Sequence, residues 1–301
     1  MRSLKQSFGF YPAPLRIEAG PMSVRPLPGL DESVDAVLGG KHVEDGWVYA
    51  PPQEKSELVS GQVRQLPYSS RVFGLPRTHA IQHSCPTGED HLGFLLWTLS
   101  FFTGMRLTAC EAGFLDATPV RTGKKLVDFV VKDQGLARAL ELADSFWRKH
   151  RDKPSYAQRF AAAVHALFVG QYPQALQYER FIHLYAAIDS CHRLTSNLRG
   201  GKRCKQGRIE WTCCQLGVEA PEWAGLVASI RNDTLHEALF IDEPLGFAVH
   251  RSSPDRGIEL PIDFEMKNLV CRLLVALIGG SDPSYLSSPV CSRQNHGLSL
   301  S

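Results

Sequence analysis

The sequence predicts an α+β chain: a mixed, mainly β N-terminal domain over residues 1–132, an all-α antiparallel helical bundle over 133–280, and a flexible tail over 281–301. Three observations carry this. The first 80 residues are rich in proline and glycine and hold no long periodic segment. From residue 133 onward apolar residues recur three or four apart, the spacing of a buried helix face. From Gly279 serine, proline and glycine return, the composition of a frayed end.

In the N-terminal part, Trp47-Val48-Tyr49 and residues 59–63 suit short strands between turns. Residues 92–102 are apolar on every side and are followed by Thr103-Gly104, which fits a buried helix closed by a glycine cap. Residues 105–110 and 126–131 suit strands, with Pro119 and Gly123 as turn formers between them. Asp133 can then cap a helix to about residue 150, with Leu136, Leu140, Ala143 and Trp147 on one face. Pro154 and Ser155 start the next, which runs through Phe160, Val164 and Phe168 to Gly170. Pro173 opens the longest, with Phe181, Leu184, Tyr185, Ile188 and Leu194 on its apolar stripe. Pro221 opens a fourth, whose Leu226, Val227 and Ile230 should face inward. A fifth covers about residues 263–278, apolar through Leu269, Leu273 and Leu277. Helices joined by mostly short connectors make an antiparallel bundle the economical arrangement.

Composition limits what such a chain can do. It has 301 residues, 44% hydrophobic and 21% charged, the make-up of an ordinary globular protein. A net charge of +2 is too small to imply nucleic-acid binding, so that role must rest on local patches. No apolar signal segment stands at the start, and the longest apolar run is about half the length of a membrane span. A cytoplasmic protein without membrane partners is the expectation. Eight cysteines then suggest reduced thiols rather than a disulfide framework.

Chemistry-bearing clusters are few. Cys191, His192, Cys204, Cys213 and Cys214 invite a zinc site but include no CxxC pair, the usual mark of one. Cys271 sits in an apolar run and suits the core. His79, His83, Cys85, Asp90 and His91 form a loose group without recognised ligand spacing. No Walker-type loop, GxGxxG turn or GxSxG elbow is present. Neither metal nor cofactor is therefore expected. Arg199, Lys202, Arg203, Lys205 and Arg208, with three glycines among them, make a basic connector that could follow an RNA backbone. A lysine-solubilised turn explains it equally well.

Arginine followed by histidine at short range is a minimal kit for phosphodiester cleavage without metal. Guanidinium is a fixed, permanently charged fork, and imidazole moves protons near neutral pH. The pattern occurs three times: Arg77 with His83, Arg159 with His165, and Arg231 with His236. The first lies beside Pro76 in a loop context, and the second flanks an alanine-rich helix surface. Only Arg231 is followed directly by Asn232 and embedded in the predicted fourth helix.

Arg231-Asn232-x3-His236 on a late helix of a bundle, preceded by the long helix containing Phe181-Ile182-His183-Leu184-Tyr185 and Asp189, resembles the HEPN domain, in particular its Apea-like branch. The resemblance covers roughly residues 133–280. It implies a HEPN-like bundle acting as a homodimeric, metal-independent endoribonuclease, a toxin or anti-phage effector, with an antitoxin or a phage-derived trigger as further partners. Other members are inactive modules for dimerisation, RNA binding or partner binding, so the resemblance leaves both readings open. Under the first, His236 is the general acid or base, Arg231 holds the scissile phosphate, and Asn232 hydrogen-bonds a phosphate oxygen or fixes one of the others. Five residues turn a helix by about 140° and advance it about 7.5 Å, so one helix does not stack Arg231 and His236 on one face. A site composed across a dimer is the geometric expectation. The plainer alternative pairs Arg231 with an acid inside the bundle, with Asp189 the foremost partner and Asp233 and Glu237 nearer in sequence.

Overall fold

The computed structural model describes residues 3–69, 74–109, 117–123, 126–132, 134–201, 207–227 and 262–300. It is a mixed α+β chain made of two compact units, Met1–Leu126 and Val127–Ser301. The division falls a few residues before the expected boundary at 132, because the short strand Phe129–Val131 belongs to the second unit.

The first unit is built on an antiparallel sheet in the order β1-β8-β3-β2: Leu4–Phe8, His79–His83, Met22–Pro26 and Ile17–Ala19. Strand β8 is central, with Phe8 and Pro26 flanking His79 from its two neighbours. A second antiparallel sheet joins β4 (Val43–Glu44), β5 (Trp47–Tyr49) and β9 (Ala117–Pro119). Its side chain Val48 packs with Phe10, Leu75 and Val120, and helix α1 (Leu30–Leu38) contributes Val34, Val37 and Leu38 to the same cluster. The third pair is the hairpin β6 (Pro52–Ser56) and β7 (Val63–Ser69).

Helix α2 (Glu89–Thr103) confirms the buried helix with a glycine cap, since Gly104 adopts φ 63°, a left-handed conformation that suits glycine. Its polar side chains are satisfied within the helix: Thr98, Ser100 and Thr103 donate to the carbonyls of Phe94, Leu96 and Leu99. Two expected strands are not strands. Residues 59–62 form the turn of the β6–β7 hairpin, where Gly61 N–H donates to the Glu57 carbonyl. Residues 105–109 contribute only an isolated bridge between Gly9 and Thr108, because Leu107 N–H is taken by the Ser100 hydroxyl.

The second unit is mostly helical: α3 (Gly135–Lys149), α4 (Pro154–Val169), α5 (Gln177–Leu198), α6 (Arg208–Leu216) and α7 (Ile262–Leu277). Pro154 stands in the first turn of α4, where its missing N–H costs nothing. Helix α5 begins later than Pro173 suggests, at Gln177, with the Glu179 carboxylate accepting the Leu176 N–H at 2.8 Å. The α5 helix is the centre of the unit, packing against α4, α6 and α7 through Phe181, Leu184, Ile188 and Leu194. Helix α6, which includes the end of the basic connector, was not expected.

Contacts at the helix ends give the relative directions of α4, α5 and α7. The Tyr156 hydroxyl near the start of α4 donates to the Asn197 carbonyl near the end of α5, so these two helices are antiparallel. By contrast, Gln177 and Arg180 at the start of α5 share a cavity with Asp263 and Lys267 at the start of α7. Thr195 and Leu198 at the end of α5 share another with Ala276 and Leu277 at the end of α7. Helices α5 and α7 therefore run the same way.

Nor is this unit all-α, and residues 281–300 are not a loose tail. Pro283–Leu286 form a short helix, α8, capped by the Asp282 carboxylate. His296–Leu298 form β11, parallel to β10 (Phe129–Val131), with Phe129 opposite His296 and Val131 opposite Leu298. Tyr285, Leu286, Val290 and Leu298 are buried. The reason is a buried ionic knot. Arg272 of α7 donates from Nη1 to Asp128 Oδ2 at 2.8 Å, from Nε to the Ser288 carbonyl at 3.0 Å and from Nη2 to Ser288 Oγ at 2.8 Å. Tyr285 Oη donates to the other oxygen of Asp128 at 2.7 Å.

Candidate nucleic-acid interface

Arg231, Asn232 and His236 lie outside the described residues, as do Lys202, Arg203 and Lys205 of the basic connector. What the structure does describe is the ground from which both segments depart. Residues 224–227 are helical, with Ala224 and Val227 buried and Leu226 45% exposed, so Leu226 does not face inward as its place on the stripe suggests. Trp223, just before this turn, donates its indole N–H to the buried Glu265 carboxylate of α7 at 2.7 Å. That bond anchors the start of the motif-bearing segment to the core helix, since a buried indole needs a partner and Glu265 supplies one.

The described cationic groups gather where α5 meets α6. Arg199 caps the C-terminus of α5 and donates from Nη2 to the Gln215 carbonyl at 2.9 Å. Arg208 is the first residue of α6 and stands 3.5 Å from Asp189 Oδ1, while Arg193 stands 3.8 Å from Asp189 Oδ2. Asp189 is thus placed between two exposed arginines, while Arg231, the partner expected for it, lies outside the described residues. Such long, solvent-screened contacts contribute little to folding. Asp189→Asn should therefore cost less than about 1 kcal/mol in urea unfolding, an expectation that a clear drop in the midpoint would overturn.

His192 is the member of this group with the most chemistry. Thr212 Oγ donates to the Arg208 carbonyl at 2.7 Å, which commits its proton. The 2.9 Å contact between His192 Nδ1 and Thr212 Oγ must then be donated by the imidazole, leaving Nε2 as the atom that gains or loses a proton. Burial lowers the imidazole pKa, Asp189 opposes that, and Arg208 and Arg193 reinforce it. The Trp211 ring meets His192 edge-on at 5.5 Å. A neutral imidazole between two arginines can accept a proton or, once protonated, join them in holding a phosphate.

The sequence offered His192 only as a zinc ligand, whereas its described hydrogen-bond partner is Thr212. Cys191 and Cys213 are wholly buried, and burial raises both thiols, Cys213 to about 12. Cys214 is exposed, and Cys204 lies outside the described residues. The His192–Thr212 pairing has no sequence signature, because it joins two helices 20 residues apart.

In the first unit the clustered histidines meet backbone N–H groups. His79 accepts the Leu15 N–H on Nε2 at 3.1 Å and His83 accepts the Cys85 N–H on Nδ1 at 3.1 Å. His91 Nδ1 is 3.4 Å from the Thr87 N–H, a longer contact of the same kind. Among the described residues no helix is long and apolar enough to cross a membrane. Comparison with family models, with curated proteins and with solved structures gives no match.

Proposed function

We propose that the chain is a HEPN-type, metal-independent endoribonuclease acting as a dimer, with Arg231, Asn232 and His236 as its reactive set. The observation that carries this is the Arg-Asn-x3-His sequence, which begins four positions after Val227, the last described residue of a helical turn that Trp223 and Glu265 dock against α7. The RNA 2′-hydroxyl attacks the adjacent phosphorus and the P–O5′ bond breaks, giving a 2′,3′-cyclic phosphate and a 5′-hydroxyl. His236 takes the proton of the attacking hydroxyl or delivers one to the leaving oxygen, and Arg231 offsets charge on the phosphorane. Arg193, Arg199 and Arg208 would hold neighbouring phosphates.

Cleavage of RNA by the purified chain in excess chelator tests this. The expected result is product ending in a 2′,3′-cyclic phosphate, reduced at least about 100-fold by His236→Ala and by Arg231→Ala. Equal cleavage by all three proteins would remove the assignment. A second reading, an inactive module that binds RNA, is favoured by the exposed arginine pair on either side of Asp189. It predicts RNA binding that survives His236→Ala and falls on replacement of Arg193 and Arg208, with no cyclic-phosphate product.

A further inference from the structure

The last turns of α3, α5, α6 and α7 wall a cavity of about 440 Å³ within the second unit. Leu142, Leu198 and Leu216 line it and are only half-buried, so each leaves apolar surface in contact with water. Phe146, Leu277 and Ile278, all buried, complete the apolar wall. Part-covered leucines gathered in one concavity are surface that an apolar guest would remove from water. Lys149, His150 and Arg199 line the same cavity, and no acidic side chain does so among the described residues. Lys149 and Arg199 are exposed, long enough to fold a charged end over the headgroup of a guest. Arg199 is steadied by donating from Nη2 to the Gln215 carbonyl at 2.9 Å, which uses one N–H of its fork. Burial lowers the His150 pKa, and Lys149 and Lys153 lower it further, so positive charge outweighs negative around this imidazole. The helix ends carry partial negative charge and take up part of that excess, which suits a guest with one negative charge better than phosphate with two.

We infer that this cavity binds a free aliphatic carboxylate of medium chain length. The hydrocarbon would lie on Leu142, Leu198 and Leu216, and the carboxylate would accept from Lys149 and Arg199. A small anion would leave the leucines wet, and an uncharged amphiphile would bring nothing to the two cations; a fatty carboxylate serves both. The volume stands toward the low end of small-molecule sites, which points to a medium rather than a long chain. A nucleotide fits less well, because the wall is aliphatic and Thr195 already donates its hydroxyl to the Cys191 carbonyl at 2.8 Å. The inference does not depend on the ribonuclease reading.

Calorimetric titration of the full chain with decanoate, kept below its micelle-forming concentration, tests it, with 1-decanol, acetate and adenosine monophosphate as controls. Saturable binding of one decanoate per chain is expected. Decanol should bind roughly tenfold more weakly, the loss of one charge-assisted hydrogen bond, and acetate should not saturate. Lys149→Gln combined with Arg199→Gln should weaken decanoate about tenfold and leave decanol as it was, a split that a general loss of structure would not produce. Both side chains are exposed, and a thermal melt shows that the variant folds. No saturable binding of decanoate to the unaltered chain would overturn the proposal. So would decanol binding as tightly as decanoate, or a variant that binds decanoate as the parent does. Adenosine monophosphate displacing decanoate at equal concentration would overturn it in favour of a nucleotide pocket. RNA cleavage is measured separately, so either idea can fail without the other.

Discussion

Arg272→Met is expected to destabilise the second unit by about 3–5 kcal/mol, the cost of removing one partner from a buried ion pair. Arg272 is 0% exposed and Asp128 4%, so the remaining carboxylate would have no access to water. It would keep the Tyr285 hydroxyl on Oδ1 and lose its only described cation. The same change releases the Ser288 carbonyl and hydroxyl, which hold residues 287–289 to α7. The expected signature has two parts: a lower urea midpoint, and faster proteolysis C-terminal to Gly280. Replacing both partners, Asp128→Leu with Arg272→Met, should recover much of the loss, because no charge is then left buried. A single variant as stable as the parent would show that the carboxylate is protonated or hydrated in place, and the knot would carry no stability.

This knot also marks the limit of what the sequence reveals. Helix α4, helix α2 with its Gly104 cap, and strand β5 were legible because their signals are local: an opening proline, an unbroken apolar run, a glycine stop. The order of residues 281–300 was not, because it depends on Arg272 meeting Asp128, 144 residues away, while the segment's own composition resembles a loose end. The candidate interface divides likewise. Arg199 and Arg208 stood out as charge in a glycine-rich stretch. Arg193 did not, being one arginine on a helix, and His192 was noticed for its cysteine neighbours rather than for Thr212. Its geometry comes from Thr212 on α6, a helix the sequence did not announce.

Lowering the pH from 6.5 to 4 is expected to weaken the first unit through His79 alone by on the order of 3 kcal/mol. The imidazole is completely buried at the centre of the sheet, between Phe8, stacked at 5.7 Å, and Tyr11, edge-on at 5.8 Å. Its Nε2 lone pair already accepts the Leu15 N–H, and its Nδ1 meets the Thr78 hydroxyl at 2.9 Å. Protonation must therefore break the Leu15 bond as well as put a charge out of reach of water. Burial accordingly lowers the pKa to about 4, with the Ala13 carbonyl opposing it weakly. In the unfolded chain the same group titrates near 6.5, so below that pH the unfolded state binds a proton the folded state refuses. Stability from this residue is full above about 6.5, falls as the pH drops, and is gone below about 4. Carboxylates titrate in the same window, so the readout is a difference: urea unfolding at pH 7 and pH 4.5 for the parent and for His79→Gln. Glutamine can accept from Leu15 and donate to Thr78 without titrating, so the variant should lose less stability between the two pH values. Equal losses would mean that His79 accepts its proton inside the fold, and that the Leu15 hydrogen bond does not hold it neutral.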